Sequence, residues 1–220
     1  IDPEQPWLNI ADGQPIEVSE DHPMPVPVHL KPNLRRICFA FFPQNHRFVF
    51  DTKSLTPNSA KKALDGILSQ ASITEHFGAV DVEVETSREG MEHILRIARK
   101  TKITVDLTVP NPDDLGGLEE EVMARLIGSR VRKEHLVQSS THPEGIDPDP
   151  YTRAMISLSR SNGKTTVIGL NEEEVRVEES TESHPLTKRF HYDPEQETQL
   201  QAVVSSASEL IALILQQRDA

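Results

Sequence analysis

Residues 79–109 constrain this chain more than any other stretch. Val80, Val82 and Val84 alternate with Asp81, Glu83 and Glu85, the period-two pattern of a strand with one apolar and one acidic face. Thr86-Ser87-Arg88-Glu89 then matches a capping box, in which the threonine oxygen and the glutamate carboxylate satisfy free amides at a helix start. Met91, Ile94, Leu95 and Ala98 give that helix its apolar face. Ile103, Val105, Leu107 and Val109 alternate next with Lys102, Thr104, Asp106 and Thr108. A helical crossover of this length favours parallel strands connected right-handedly. The expected fold is therefore α+β. A mixed sheet with a strand–helix–strand, ferredoxin-like unit is covered by helices, and a C-terminal β-meander plus helix packs beside it. The acidic strand face is expected to be solvated or to meet a basic partner.

The rest of the chain fills in around this unit. Residues 35–42 are apolar after Arg35 and Arg36, as in a strand buried on both faces. Residues 46–51 alternate, and Pro43-Gln44-Asn45 turns between the two, which predicts a hairpin. A helix over 56–71 is signalled by Thr56 as cap, Pro57 at the first position and a stripe through Ala60, Leu64, Ile67 and Ala71. Another, on Leu118, Val122 and Leu126, is read as running on through Val131 to Leu136, before a loop at 139–150. A strand at 153–160, an Asn162-Gly163 hairpin turn, a return strand through Val167 and Ile168 and a third with Val175 and Val177 make the meander. A final helix covers roughly 194–218. The proline-alternating stretch Pro23 to Pro32 favours extended or polyproline backbone. Residues 1–140 form the hairpin and strand–helix–strand–helix core, and 141–220 the meander plus helix, packed together as one domain. The chain opens on Ile1 without an initiator methionine. It is expected to begin within a longer protein whose preceding segment completes the sheet or carries active residues.

Composition narrows the function classes. The net charge of −12 opposes broad binding to nucleic acid and leaves room only for local contact through a basic patch. Cys38 is the single cysteine, so no internal disulfide forms, and its apolar neighbours read as core. No apolar run approaches the ~20 residues that span a bilayer, and the chain reads as cytoplasmic with no membrane contact.

No motif carries a complete chemistry. The nine histidines lack the spacing of a helical zinc site and no cysteine pair exists, so no metal site and no cofactor is expected. Asn45-His46-Arg47 sits at the hairpin turn, where histidine and arginine suit phosphate binding or acid–anion work, though a solvated turn is the preferred reading. Arg35 and Arg36 open the neighbouring strand and, with His46 and Arg47, make the best basic patch for a ligand or nucleic acid. His184-Pro185-Leu186 with Lys188 and Arg189 is read as an anchored loop that also suits closure over a ligand, which makes His184 the fifth candidate. Asp113-Asp114 and Glu119-Glu120-Glu121 suit a helix N-terminus, and Glu172-Glu173-Glu174 and Glu178-Glu179 read as a solvated acidic face. Gly163-Lys164-Thr165 lacks the upstream glycine of a phosphate loop.

Several short motifs do resemble a family. Ile1-Asp2-Pro3 with Pro6-Trp7, His46-Arg47 after an aromatic strand, and Val109-Pro110-Asn111-Pro112-Asp113-Asp114 are similar to an uncharacterised bacterial family of unknown function. Ser161-Asn162-Gly163-Lys164 and His184-Pro185 fit it as well. The resemblance covers nearly the whole chain and implies an association with mobile elements and phage defence. It also implies a sizeable region ahead of the Ile-Asp-Pro segment, and it supplies no catalytic residues. The expected function is a non-enzymatic binding or regulatory component of a bacterial antiviral-defence or mobile-element system, with a protein partner or homo-oligomer. The alternative is a nuclease or other hydrolase completed by a preceding segment, with His46, Arg47 and His184 as its first residues to test.

Overall fold

A four-stranded antiparallel sheet carries the core. In the computed structural model, which describes residues 7–16, 30–31, 36–109 and 118–216, the sheet is built from β6 (Arg99–Thr108), β7 (Lys133–Ser139), β8 (Gly163–Leu170) and β9 (Arg176–Ser180). Its order is β7-β6-β8-β9. Val105 stands opposite Leu136 on one side and Thr165 on the other, and Ile103 pairs with Val167. Because strand side chains alternate, Ile103, Val105 and Leu107 all point to one face, and all three are buried. Three helices cover that face: α3 (Arg88–Leu95), α4 (Leu118–Gly128) and α5 (Pro150–Asn162). Ile94, Met123, Leu126, Met155 and Ile156 complete the core from their side. On the other face Lys102 and Asp106 are exposed, and Asp106 meets His135 Nδ1 at 2.5 Å.

The remaining described elements surround this layer pair. β1 (Trp7–Asn9), β2 (Pro15–Ile16) and β3 (Leu30–Lys31) form a small antiparallel sheet. β4 (Phe39–Phe42) and β5 (Arg47–Phe50) form the expected hairpin, with Phe39 opposite Phe50 and Phe41 opposite Phe48. It is not buried on both faces, since Phe39 and Phe41 are exposed, and Cys38 beside it is half-buried. α1 (Pro57–Leu68) begins as anticipated, with the Thr56 hydroxyl accepting from the Ser59 amide at 3.3 Å. α2 (Ala71–Phe77) follows, and α6 (Gln199–Gln216) lies against β4 and β5. No described helix is long and apolar enough to cross a membrane.

The α+β class holds, but the parallel crossover does not. Residues 80–85 join no described sheet, and both neighbours of β6 run antiparallel to it. The helix after them is capped by Ser87, whose hydroxyl accepts from Gly90 N at 3.0 Å. Thr86 is instead buried and donates to the Thr181 carbonyl. The run-on of α4 to Leu136 is corrected as well. Arg130 takes a left-handed conformation, Val131 N bonds the Leu126 carbonyl and Arg130 N that of Ile127. This is a Schellman stop, and 133–139 pairs as β7.

The strand expected at 153–160 is helix α5. Asp149 caps it by accepting from Thr152 N at 2.7 Å, and Pro150 fits its first turn. Its inward stripe is Thr152, Met155, Ile156 and Ser159. Two hydroxyl residues hide the helical period, whereas Ala154, Ile156 and Leu158 imitate a period of two. Both hydroxyls are satisfied, Thr152 by the Gln138 amide and Ser159 by Thr165 at 2.6 Å. Asn162-Gly163 is therefore no hairpin turn. Gly163 lets β8 approach β6 closely, for a Cβ there would fall 2.0 Å from the Asp106 carbonyl oxygen.

Candidate functional site

The segment 79–85 forms one wall of a groove of about 920 Å³. β5 stands beside it, and α1 and α6 complete the floor. Phe48, Phe50, Leu64, Val82, Val203 and Ile211 give the lining its apolar character. Phe77 and Val80 also line it and are 80% and 43% exposed. Side chains this apolar gathered at a surface concavity mark a binding site more often than scattered exposure does.

The acidic residues of the segment meet cations of the chain itself. Glu85 lies 3.2 Å from Arg47 Nε and accepts from Ser161 Oγ at 2.7 Å. Glu83 takes Lys61 Nζ of α1 at 2.5 Å. Asp81 takes Arg132 at 2.6 Å and Lys133 at 2.7 Å, the residues just before and at the start of β7. Burial pushes the Asp81 carboxyl up, but hydrogen bonds and charge from Lys133 and Arg132 outweigh it and hold it below the ordinary carboxylate range. The basic partner of this acidic face is thus intramolecular.

The four described candidates from sequence do not gather at one site. Arg35 lies outside the described residues, as do the Pro23–Pro27 stretch and Asp113-Asp114. Arg36 and His46 are exposed, with His46 in a left-handed turn. Arg47 is no solvated turn residue; it is half-buried, pairs with Glu85 and donates to the Asn45 carbonyl at 3.0 Å. His46 and Arg47 line the groove and His184 does not. His184 faces Glu179, 3.3 Å from its Nε2, with the His93 ring 5.2 Å away. Lys61, Arg132 and His93 were not singled out from sequence, and Glu179 was read only as part of a solvated acidic face, because long-range packing alone gives them their partners.

A family model described as "Domain of unknown function (DUF4747)" matches residues 1–208. The chain belongs to the DUF4747 family. No curated protein and no solved structure matches it. Both walls of the groove lie within the part of this DUF4747 chain that the family model matches, and so does its floor apart from the last turns of α6.

Proposed function

We propose that this DUF4747 domain is a non-enzymatic binding or regulatory component whose groove receives an extended, apolar segment of a partner protein. One observation carries the reading. Among the described residues, Val80 to Val84 make no main-chain hydrogen bond, and β5, which lines the same groove, pairs only with β4. An extended peptide laid between them supplies main-chain partners while its side chains reach the apolar floor, the mode of strand addition. The rim cations are already matched by carboxylates, which favours a neutral occupant over a polyanion.

Selection of a displayed peptide library on the full chain tests this. The enriched sequences are expected to alternate apolar residues. They are expected to bind the Val80→Glu variant at least about tenfold more weakly, since an unpaired carboxylate in an apolar site costs more than the ~1.4 kcal/mol that tenfold represents. Val80 is exposed, so the variant keeps its fold. Equal binding to both proteins refutes the groove as the site.

The antiviral-defence or mobile-element setting is supported by the motif resemblance alone. Equal plaque counts over a broad phage panel, with and without the gene, would remove it. The hydrolase alternative called for His46, Arg47 and His184 around one carboxylate; His46 and Arg47 line the groove, whereas His184 does not and pairs with Glu179.

A further inference from the structure

We infer that His93, Glu179 and His184 form a binding site for a divalent transition metal ion of the zinc class. Their ligand atoms all lie within 4.8 Å of one another. His184 Nε2 and Glu179 Oε2 are 3.3 Å apart. A tetrahedral ion with bonds of about 2.0–2.1 Å sets neighbouring ligand atoms about 3.3–3.4 Å apart, so this pair already spans one edge of such a centre. The two imidazole rings, 5.2 Å apart between centroids and inclined at 56°, need only small side-chain rotations to place the third ligand.

The scaffold fixes each ligand independently. Glu179 stands opposite Val167 on edge strand β9, so it points to the helix-covered face of the sheet and is half-buried there. The sequence reading of Glu178-Glu179 as one solvated face holds for Glu178 only. The His184 backbone is held at both ends, its amide to the Thr181 carbonyl and its carbonyl to the Ser87 amide, each at 3.0 Å. Gly90 lets α3 settle directly on this residue, since a Cβ there would fall 2.3 Å from His184 Cβ. His93 lies three residues after Gly90, on the same helix face, and in the last turn, where the helix dipole favours a cation.

A plain His184–Glu179 ion pair accounts for two of the three residues and leaves His93 unexplained. Two protonated imidazoles side by side repel, whereas two neutral ones and a carboxylate carry one negative charge toward a cation. Glu182 is not available as a rival, being paired with Lys164 at 2.7 Å. Three protein ligands leave at least one coordination position open, and exposed His93 puts that opening on the solvent side. Nitrogen and oxygen donors of this kind suit zinc or iron(II) rather than calcium or magnesium. None of the three residues lines the groove, so the site is separate from it.

The test uses the full chain after treatment with chelator. Zn(II) is titrated by calorimetry and Co(II) by its visible absorption. One equivalent of each is expected to bind, with a Co(II) spectrum typical of nitrogen–oxygen coordination. His93→Ala, Glu179→Gln and His184→Ala are each expected to weaken binding by at least about tenfold, the lower bound for losing even an outer-shell partner. His142→Ala, exposed in a loop elsewhere, is expected to bind as the parent does. Because His93 is exposed, its variant retains the fold, and circular dichroism checks this. Failure of the parent chain to take up one equivalent at micromolar Zn(II) overturns the assignment. So does any of the three variants that binds as tightly as the parent.

Discussion

Two identical substitutions should move stability in opposite directions. Gly66 in α1 and Gly90 in α3 both sit inside helices. Replacing a helical glycine with alanine contributes up to about 1 kcal/mol through backbone entropy and helix propensity. At Gly66 a new Cβ meets nothing within 4 Å, so that gain is expected in full. At Gly90 it falls 2.3 Å from His184 Cβ and 2.9 Å from Ser87 Oγ. His184 Cβ is tied to a backbone fixed at both ends, so it cannot swing away. Either α3 or the 181–185 turn must move. Overpacking of this kind costs about 1–3 kcal/mol, and a disturbed cap at Ser87 adds ~1 kcal/mol. Set against the propensity gain, Gly90→Ala should lose about 1–3 kcal/mol. The two variants then differ by about 2–4 kcal/mol, or roughly 4 °C or more in Tm for a chain of this size. Urea unfolding with a common m value measures it. If Gly90→Ala proves as stable as Gly66→Ala, α3 does not rest on His184, and the geometry of the His93, Glu179 and His184 cluster falls with it.

Two further outcomes bear on the fold and on the groove wall. Asp149→Ala removes the cap of α5 and should cost about 1 kcal/mol, read as a Tm lowered by roughly 2–4 °C; an unchanged Tm would contradict the helical assignment of 150–162. The folded Asp81 carboxyl titrates below its unfolded value, so its contribution to stability is complete above the ordinary carboxylate range near pH 4 and disappears as pH falls through the folded value. The parent and Asp81→Asn should therefore differ in Tm at neutral pH and converge on acidification, whereas a constant gap would exclude the ion pairs to Arg132 and Lys133.

Local signals were legible where one residue type did one job. The alternation from Ile103 to Leu107 needs no tertiary knowledge, because each apolar side chain enters the core and each polar one faces out. Thr56-Pro57 likewise marks its helix by chemistry confined to one turn. Reading failed where polar residues entered the core or where direction mattered. Thr152 and Ser159 broke the apolar stripe of α5, and arginine stood where glycine usually ends a helix, at position 130. Alternation at 80–85 predicted a strand, but alternation alone could not report whether a neighbour pairs with it, and no described strand does. Strand direction was inferred from the length of one connection, yet β6 takes its partners from residues 133–139 and 163–170. The groove and the His93, Glu179 and His184 cluster were invisible for the same reason, being made by contacts between residues far apart in the chain.

The three carboxylates of the groove wall also behave like teeth with a pitch of two residues. Slippage of the segment by one tooth would bring Glu83 to Arg132 and Glu85 to Lys61, so two of the three pairings would survive. Charge alone is therefore a poor lock on this wall. The pin is Thr86, which sits buried at the end of the row, bonded to the Thr181 carbonyl and bridged to Pro185. Enlarging Thr86 should free the wall to ratchet, leaving the ion pairs largely in place while the valines that line the groove change their stations.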